Sequence, residues 1–140
     1  MVVGYDGSPP ATRALDGAVR LLSGRDGQID VLYVAHVPAV DGLSPDALTQ
    51  VELSFDEIAD DLKAQATDQL RGKEDRWEFQ WRQGIIPNEL IAEAEHTAEA
   101  HPDDTVVIVV GSSSQAMHRL VGSVAVSLSR HSPVPLVIVP

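Results

Sequence analysis

Apolar residues along this chain alternate between two spacings, continuous or every-other over short runs and three to four apart over longer ones. Val2 and Val3 form a short apolar strand that ends at Gly4-Tyr5-Asp6-Gly7. Ser8 offers a capping hydroxyl and Pro9 stands where a helix tolerates proline best, which predicts a helix start. Ala11, Ala14, Leu15, Ala18, Val19 and Leu22 then recur at helical spacing, with Gly24 as the stop. The β-branched stretch "QIDVLYVA" at 28–35 reads as a second strand. A loop over 36–43 contains Pro38 and Gly42, and Ser44-Pro45 repeats the cap-then-proline signal. Leu48, Val51, Phe55, Ile58 and Leu62 mark one face of the long helix that follows.

In "WEFQWRQ", residues 77–83, Trp77, Phe79 and Trp81 alternate with Glu78, Gln80 and Arg82. Such alternation predicts a strand with one wet face, as at a sheet edge. The three aromatics suit stacking on a base, but a core-facing strand explains them better. Pro87 opens a third helix carrying Leu90, Ile91, Ala94 and Ala98. "TVVIVV" at 105–110 is apolar on both faces, the mark of a central strand covered by helices on each side. A fourth helix aligns Leu120, Val121, Val124, Ala125 and Leu128, and "PLVIVP" ends the chain as a fifth strand.

Strand and helix alternate throughout, so the predicted fold is one α/β domain over 1–140, a doubly wound and mostly parallel sheet. Ligands in such sheets bind beyond the C-terminal ends of the strands, where strand order reverses. Two strand ends carry Gly-rich turns into helices, Tyr5-Asp6-Gly7-Ser8 and Gly111-Ser112-Ser113-Ser114. If the first and fourth strands are neighbours, both turns face one crevice, the best candidate for a site. Asp6 reads either as a group near a bound ligand or as a cap beside Ser8, and Ser8 itself reads as a cap. His118 and Arg119 sit near the second loop, facing either phosphate or solvent.

Composition narrows the chemistry. Ten Lys+Arg against twenty-one Asp+Glu leave a net charge of −11, which repels a nucleic-acid backbone. An anion site built from backbone N–H groups needs no net positive charge and stays open. There is no cysteine, hence no disulfide and no thiol nucleophile, and the five histidines are scattered without metal-site spacing. The first residues lack the layout of a signal peptide and no apolar run is long enough to span a bilayer, so a cytoplasmic location is expected.

The start "MVVGYDGSPPATRAL", the strand "VLYVAHV" and the end "VVGSSS…RLVGSV…HSPVPLVIVP" together resemble the universal stress protein family over nearly the whole chain. The resemblance implies a Rossmann-like five-stranded sheet in order 3-2-1-4-5, helices on both faces, with the first and fourth strands adjacent. It also implies a division between nucleotide binders and non-binders. In binders a Gly-x2-Gly-x9-Gly-Ser/Thr loop wraps the ATP phosphates, and an Asp ending the first strand lies near the nucleoside. Carried over, Tyr5, Asp6 and Val34 line a nucleoside pocket, while Gly111, Ser112, Ser114, Gly122, Ser123 and Val124 serve the phosphates. The chain departs from this pattern: Ser114 stands at the second Gly, and the loop to Gly122 is shorter by two residues.

Two function classes follow. One is a dimeric nucleotide-binding stress-response module that takes ATP, with magnesium. The other is a dimeric interaction protein that binds no nucleotide. Enzyme chemistry has little support, since there is no lysine in a phosphate loop and no nucleophile elbow, leaving at most slow incidental ATP hydrolysis. The fifth strand presents the uncharged run Leu136, Val137, Ile138, Val139 at an expected sheet edge, which predicts a homodimer by antiparallel pairing of that strand.

Overall fold

In the computed structural model, which describes residues 1–36, 44–73, 76–112 and 122–140, nine elements alternate along the chain. They are β1 (Val2–Gly4), α1 (Pro9–Leu22), β2 (Ile29–Ala35), α2 (Pro45–Gln69), β3 (Trp77–Gln83), α3 (Ile86–Ala100), β4 (Ile108–Gly111), α4 (Ser123–His131) and β5 (Leu136–Val139). The strands form one sheet in order β3-β2-β1-β4-β5, and every pairing is parallel. Val2 is in register with Asp30 on one side and Ile108 on the other, so β1 and β4 are neighbours.

Local chemistry accounts for the helix starts. Ser8 and Ser44 sit in extended backbone, and each hydroxyl accepts from the N–H three residues on, Ala11 at 3.4 Å and Ala47 at 3.3 Å. A proline follows each cap at a position whose N–H has no helical partner. Two cores cover the sheet. Val3, Val31 and Val109 pack with Leu15, Leu62 and Leu70 under α1 and α2, while Val2, Leu32 and Ile108 pack with Leu90 and Leu128 under α3 and α4. Period-two alternation thus sends successive residues of β1, β2 and β4 into opposite cores.

Three sequence expectations change. The β4 ladder starts at Ile108, because β1 and β5 both enter register there and Thr105 has no strand beside it to pair with. On α2 the buried residues are Ala59, Leu62 and Ala66, while Leu48 and Ile58 are exposed. The second half of that long helix supplies its buried residues, while from the first half Phe55 reaches Trp81 of β3 with ring centroids 6.4 Å apart and Leu48 and Leu53 stay in water. Strand β3 is an edge strand as expected, with Trp77 and Phe79 packed on the first core. Its polar face is only partly wet: Gln80 and Arg82 are half-buried, and Arg82 pairs with the buried Glu93 of α3. Leu120 and Val121, expected on the fourth helix, lie outside the described residues.

Candidate functional site

The C-terminal ends of β1, β2 and β4 open into a cavity of about 370 Å³. Its floor is Gly4, Tyr5, Leu32, Val34, Val110 and Gly111, and the first turns of α1, α3 and α4 form its walls. This is the crevice at the reversal of strand order, the usual ligand position in open α/β sheets. Of the positions singled out in the sequence, Tyr5, Asp6, Val34, Gly111, Gly122, Ser123 and Val124 line it. Ser112 is not among the lining residues; its N–H donates to the Val139 carbonyl at 2.8 Å and extends the β4–β5 ladder. Ser114, His118 and Arg119 lie outside the described residues.

The walls differ in what they offer an anion. Helix α1 begins Pro9-Pro10, two residues without an N–H, and Ser8 occupies the N–H of Ala11. Its positive end is therefore screened by its own chain. Helix α4 begins at Gly122 with no side-chain cap, so the N–H groups of Ser123, Val124 and Ala125 are unused by the helix and stand at the cavity wall. The donors and the dipole thus converge at α4.

Asp6 is exposed, and its Oδ1 accepts from the Ser8 N–H at 3.0 Å, fixing the turn that ends β1. Gly7 completes that turn at φ +73°, and a β-carbon there would come within 2.7 Å of Leu62. Two phenols join the carboxylate. Burial raises the pKa of Tyr5, against a hydrogen bond with Thr12, and nearby Asp6 and Asp16 raise it further. Burial and Asp6 do the same for Tyr33. Both hydroxyls stay protonated at neutral pH and remain hydrogen-bond donors.

Gly111 shows why the strand end must be bare. A β-carbon there would fall 2.2 Å from the Pro10 carbonyl oxygen, so α1 rests directly on the backbone of β4. The glycine is required by helix–strand packing whether or not a phosphate ever approaches it. Tyr33, Ile86 and Leu90 also line the cavity and were not expected there from the sequence. Tyr33 stands beside Val34 in the second strand, and Ile86 and Leu90 open the third helix, but only the tertiary fold brings that helix start to the crevice. Among the described residues lining the cavity Asp6 carries the only charge, and no three His, Cys, Asp or Glu side chains among the described residues are grouped to hold a metal ion.

A family model described as the universal stress protein family matches residues 1–140. Solved structures resemble the chain over nearly its full length. A universal stress protein in complex with cAMP is 22% identical, with a TM-score of 0.65, covering 99% of this chain and 94% of that one. The universal stress protein UspA from Lactobacillus plantarum is 21% identical, with a TM-score of 0.65 and coverage of 99% and 95%. A universal stress protein family protein from Arabidopsis thaliana with AMP bound is 13% identical, with a TM-score of 0.59 and coverage of 99% and 88%. A search of curated proteins gives no match. At these identities the solved structures speak to the fold, and the family model speaks to descent. With its five parallel strands in order 3-2-1-4-5 and the match across residues 1–140, this chain belongs to the universal stress protein family.

Proposed function

We propose that this chain is a stress-response module that binds an adenine nucleotide at the C-terminal ends of β1 and β4 and acts as a dimer. The observation that carries the reading is the uncapped start of α4 at the wall of an otherwise largely apolar cavity. A flat base suits the apolar floor at Leu32, Val34 and Val110, and a phosphate suits the three N–H groups of Ser123, Val124 and Ala125, which donate to no acceptor among the described residues. Similar proteins hold cAMP and AMP, which supports an adenine nucleotide as the ligand class.

The cavity favours few phosphates over many. Helix α1 contributes no free N–H, and Asp6 repels a polyphosphate tail. AMP or a cyclic monophosphate is therefore expected to bind better than ATP. Magnesium, if it enters with ATP, would be held chiefly by the phosphates, since Asp6 alone among the described lining residues is a carboxylate.

Calorimetry with AMP, cAMP, ADP and ATP, each with and without magnesium, tests the reading. Ser123→Pro is the informative variant. Proline is favoured at the first helical position, and Gly122 before it has the extended backbone (φ −60°, ψ 158°) that a proline requires. It removes one N–H and should weaken nucleotide binding about tenfold, while Ser123→Ala, which keeps the N–H, should not. If none of the four nucleotides binds at millimolar concentration, the second reading holds: a dimeric interaction protein that takes no nucleotide. The same proline pair that strips α1 of donors favours that alternative.

A further inference from the structure

A second and larger cavity, about 750 Å³, opens at the opposite end of the sheet, where β1, β2 and β3 begin. It lies on the α3 side. Asp30 and Glu78 are register partners on neighbouring parallel strands, so both side chains emerge on the same face and line this cavity. Asp26, Glu93 and Asp104 complete a set of five carboxylates around it. The two arginines of the lining are committed elsewhere: Arg25 donates to the Leu21 carbonyl, and Arg76 to the carbonyls of Arg25 and Gly27.

Asp30 is the unusual member. It is 93% buried, being 7% exposed, and among the described residues no donor hydrogen-bonds its carboxylate. Its neighbours are satisfied. Glu78 accepts from Gln80 at 2.9 Å, Glu93 is paired with Arg82, and the Met1 ammonium donates to the Gln28 carbonyl at 2.7 Å. Burial raises the Asp30 pKa, against the opposing field of the Met1 ammonium; Glu78 and Glu93 add to the rise and His101 opposes it. A buried carboxylate that no described donor hydrogen-bonds, beside a second acid and with only the Met1 ammonium and His101 opposing them, is stabilised further by an added cation or a proton.

The spacing of the carboxylates decides which cation. No three acidic or histidine side chains among the described residues are grouped to hold a metal ion. The carboxylates are instead spread around the cavity, over the starts of β2 and β3, the face of α3 and the loops beside them. Separate ammonium groups on a flexible aliphatic chain match that distribution, and the exposed Asp26 and Asp104 extend it outward. We propose that this cavity binds an aliphatic polyamine, one ammonium group of which pairs with Asp30 and Glu78. The site is separate from the nucleotide cavity and does not depend on it.

Calorimetry of the full chain with spermidine, putrescine and magnesium at low salt tests the proposal. Spermidine is expected to bind at one site, more tightly than putrescine. Asp30→Asn, nearly isosteric and confirmed folded by circular dichroism, should weaken spermidine at least about tenfold. Asp60→Asn, an exposed carboxylate on α2, should leave the affinity unchanged. Equal weakening by Asp60→Asn would mean only diffuse attraction to an acidic protein, and the proposal fails. It also fails if Asp30→Asn binds like the wild type, if spermidine gives no heat at millimolar concentration, or if magnesium binds more tightly and displaces it.

Discussion

Two single residues, Gly111 and Asp30, carry consequences out of proportion to their size. The 2.2 Å approach that a β-carbon at 111 would make to the Pro10 carbonyl involves backbone on both sides, so neither partner relieves it by changing rotamer. Gly111→Ala is expected to destabilise the fold by about 1–3 kcal/mol, measured by urea unfolding. Gly111→Val is unsuitable as a block on nucleotide binding, because it damages helix–strand packing first. Asp30 works through pH. Its pKa is raised by burial above the unfolded value, so the stability it contributes is present in acid and lost as pH rises through the raised value. Asp30→Asn should therefore raise the melting temperature at neutral pH, with the gain shrinking as pH falls to the ordinary carboxylate range. A gain that stays constant with pH would contradict that assignment.

Elements are joined here by contacts that periodicity alone does not anticipate. Arg82 on the edge strand β3 reaches Glu93 of α3, whose side chain is 5% exposed, and Arg82 also reaches Gln80 at 3.5 Å. Removing Arg82 leaves a buried carboxylate without its counter-charge. Arg82→Ala is expected to cost about 3 kcal/mol, the low end for a broken buried pair because the arginine is itself one-third exposed. Arg82→Met combined with Glu93→Leu should restore most of the loss, since no charge is then left unpaired. A double-mutant cycle by chemical denaturation reads this coupling, and additive effects of the two changes would show that the pair does not tie β3 to α3. The two helix starts at the cavity make the complementary point. Similar cap positions lead to α1 and α4, yet prolines close the first to anions and their absence leaves the second open.

At the scale of the whole molecule, β5 forms one edge of the sheet. Val137 and Val139 pack on the first core, and Leu136 and Ile138 on the second, so both faces of the strand are in use within one chain. A charge at Val137 or Ile138 would therefore injure the subunit as well as any contact between subunits. What remains for a partner is the backbone. The carbonyls of Pro135 and Val139 accept from β4, so by alternation the N–H and C=O of Leu136 and Ile138 point outward. In the proposed dimer, two such residues in antiparallel register with a second copy would close a two-fold contact. Ile138→Pro removes an outward N–H on an edge strand, where proline is tolerated. It should shift the protein from dimer to monomer by light scattering while the subunit stays folded. A wild type that is monomeric at micromolar concentration, or an Ile138→Pro protein that dimerises as well, would rule this edge out.

Much of this protein is determined by its sequence alone. The order of elements, the proline-and-serine starts of α1 and α2, the edge position of β3 and the turn at Tyr5–Ser8 all follow from spacing and capping, which act over a few residues. The acidic residue at 30 inside "IDVLYVA" was passed over, because the stretch as a whole reads as a β-branched strand. What spacing does not report is which distant groups meet. Only the packed chain turns Ser112 toward β5, seats Pro10 on Gly111, hides Glu93 against Arg82 and leaves Asp30 facing a cavity of its own. The same holds for α2, where helical periodicity names a face but the sheet's short reach decides that Ala59, Leu62 and Ala66 are covered and Leu48 is not. Local propensity is written along one segment, whereas burial and pairing depend on separations that exist only after the segments have packed.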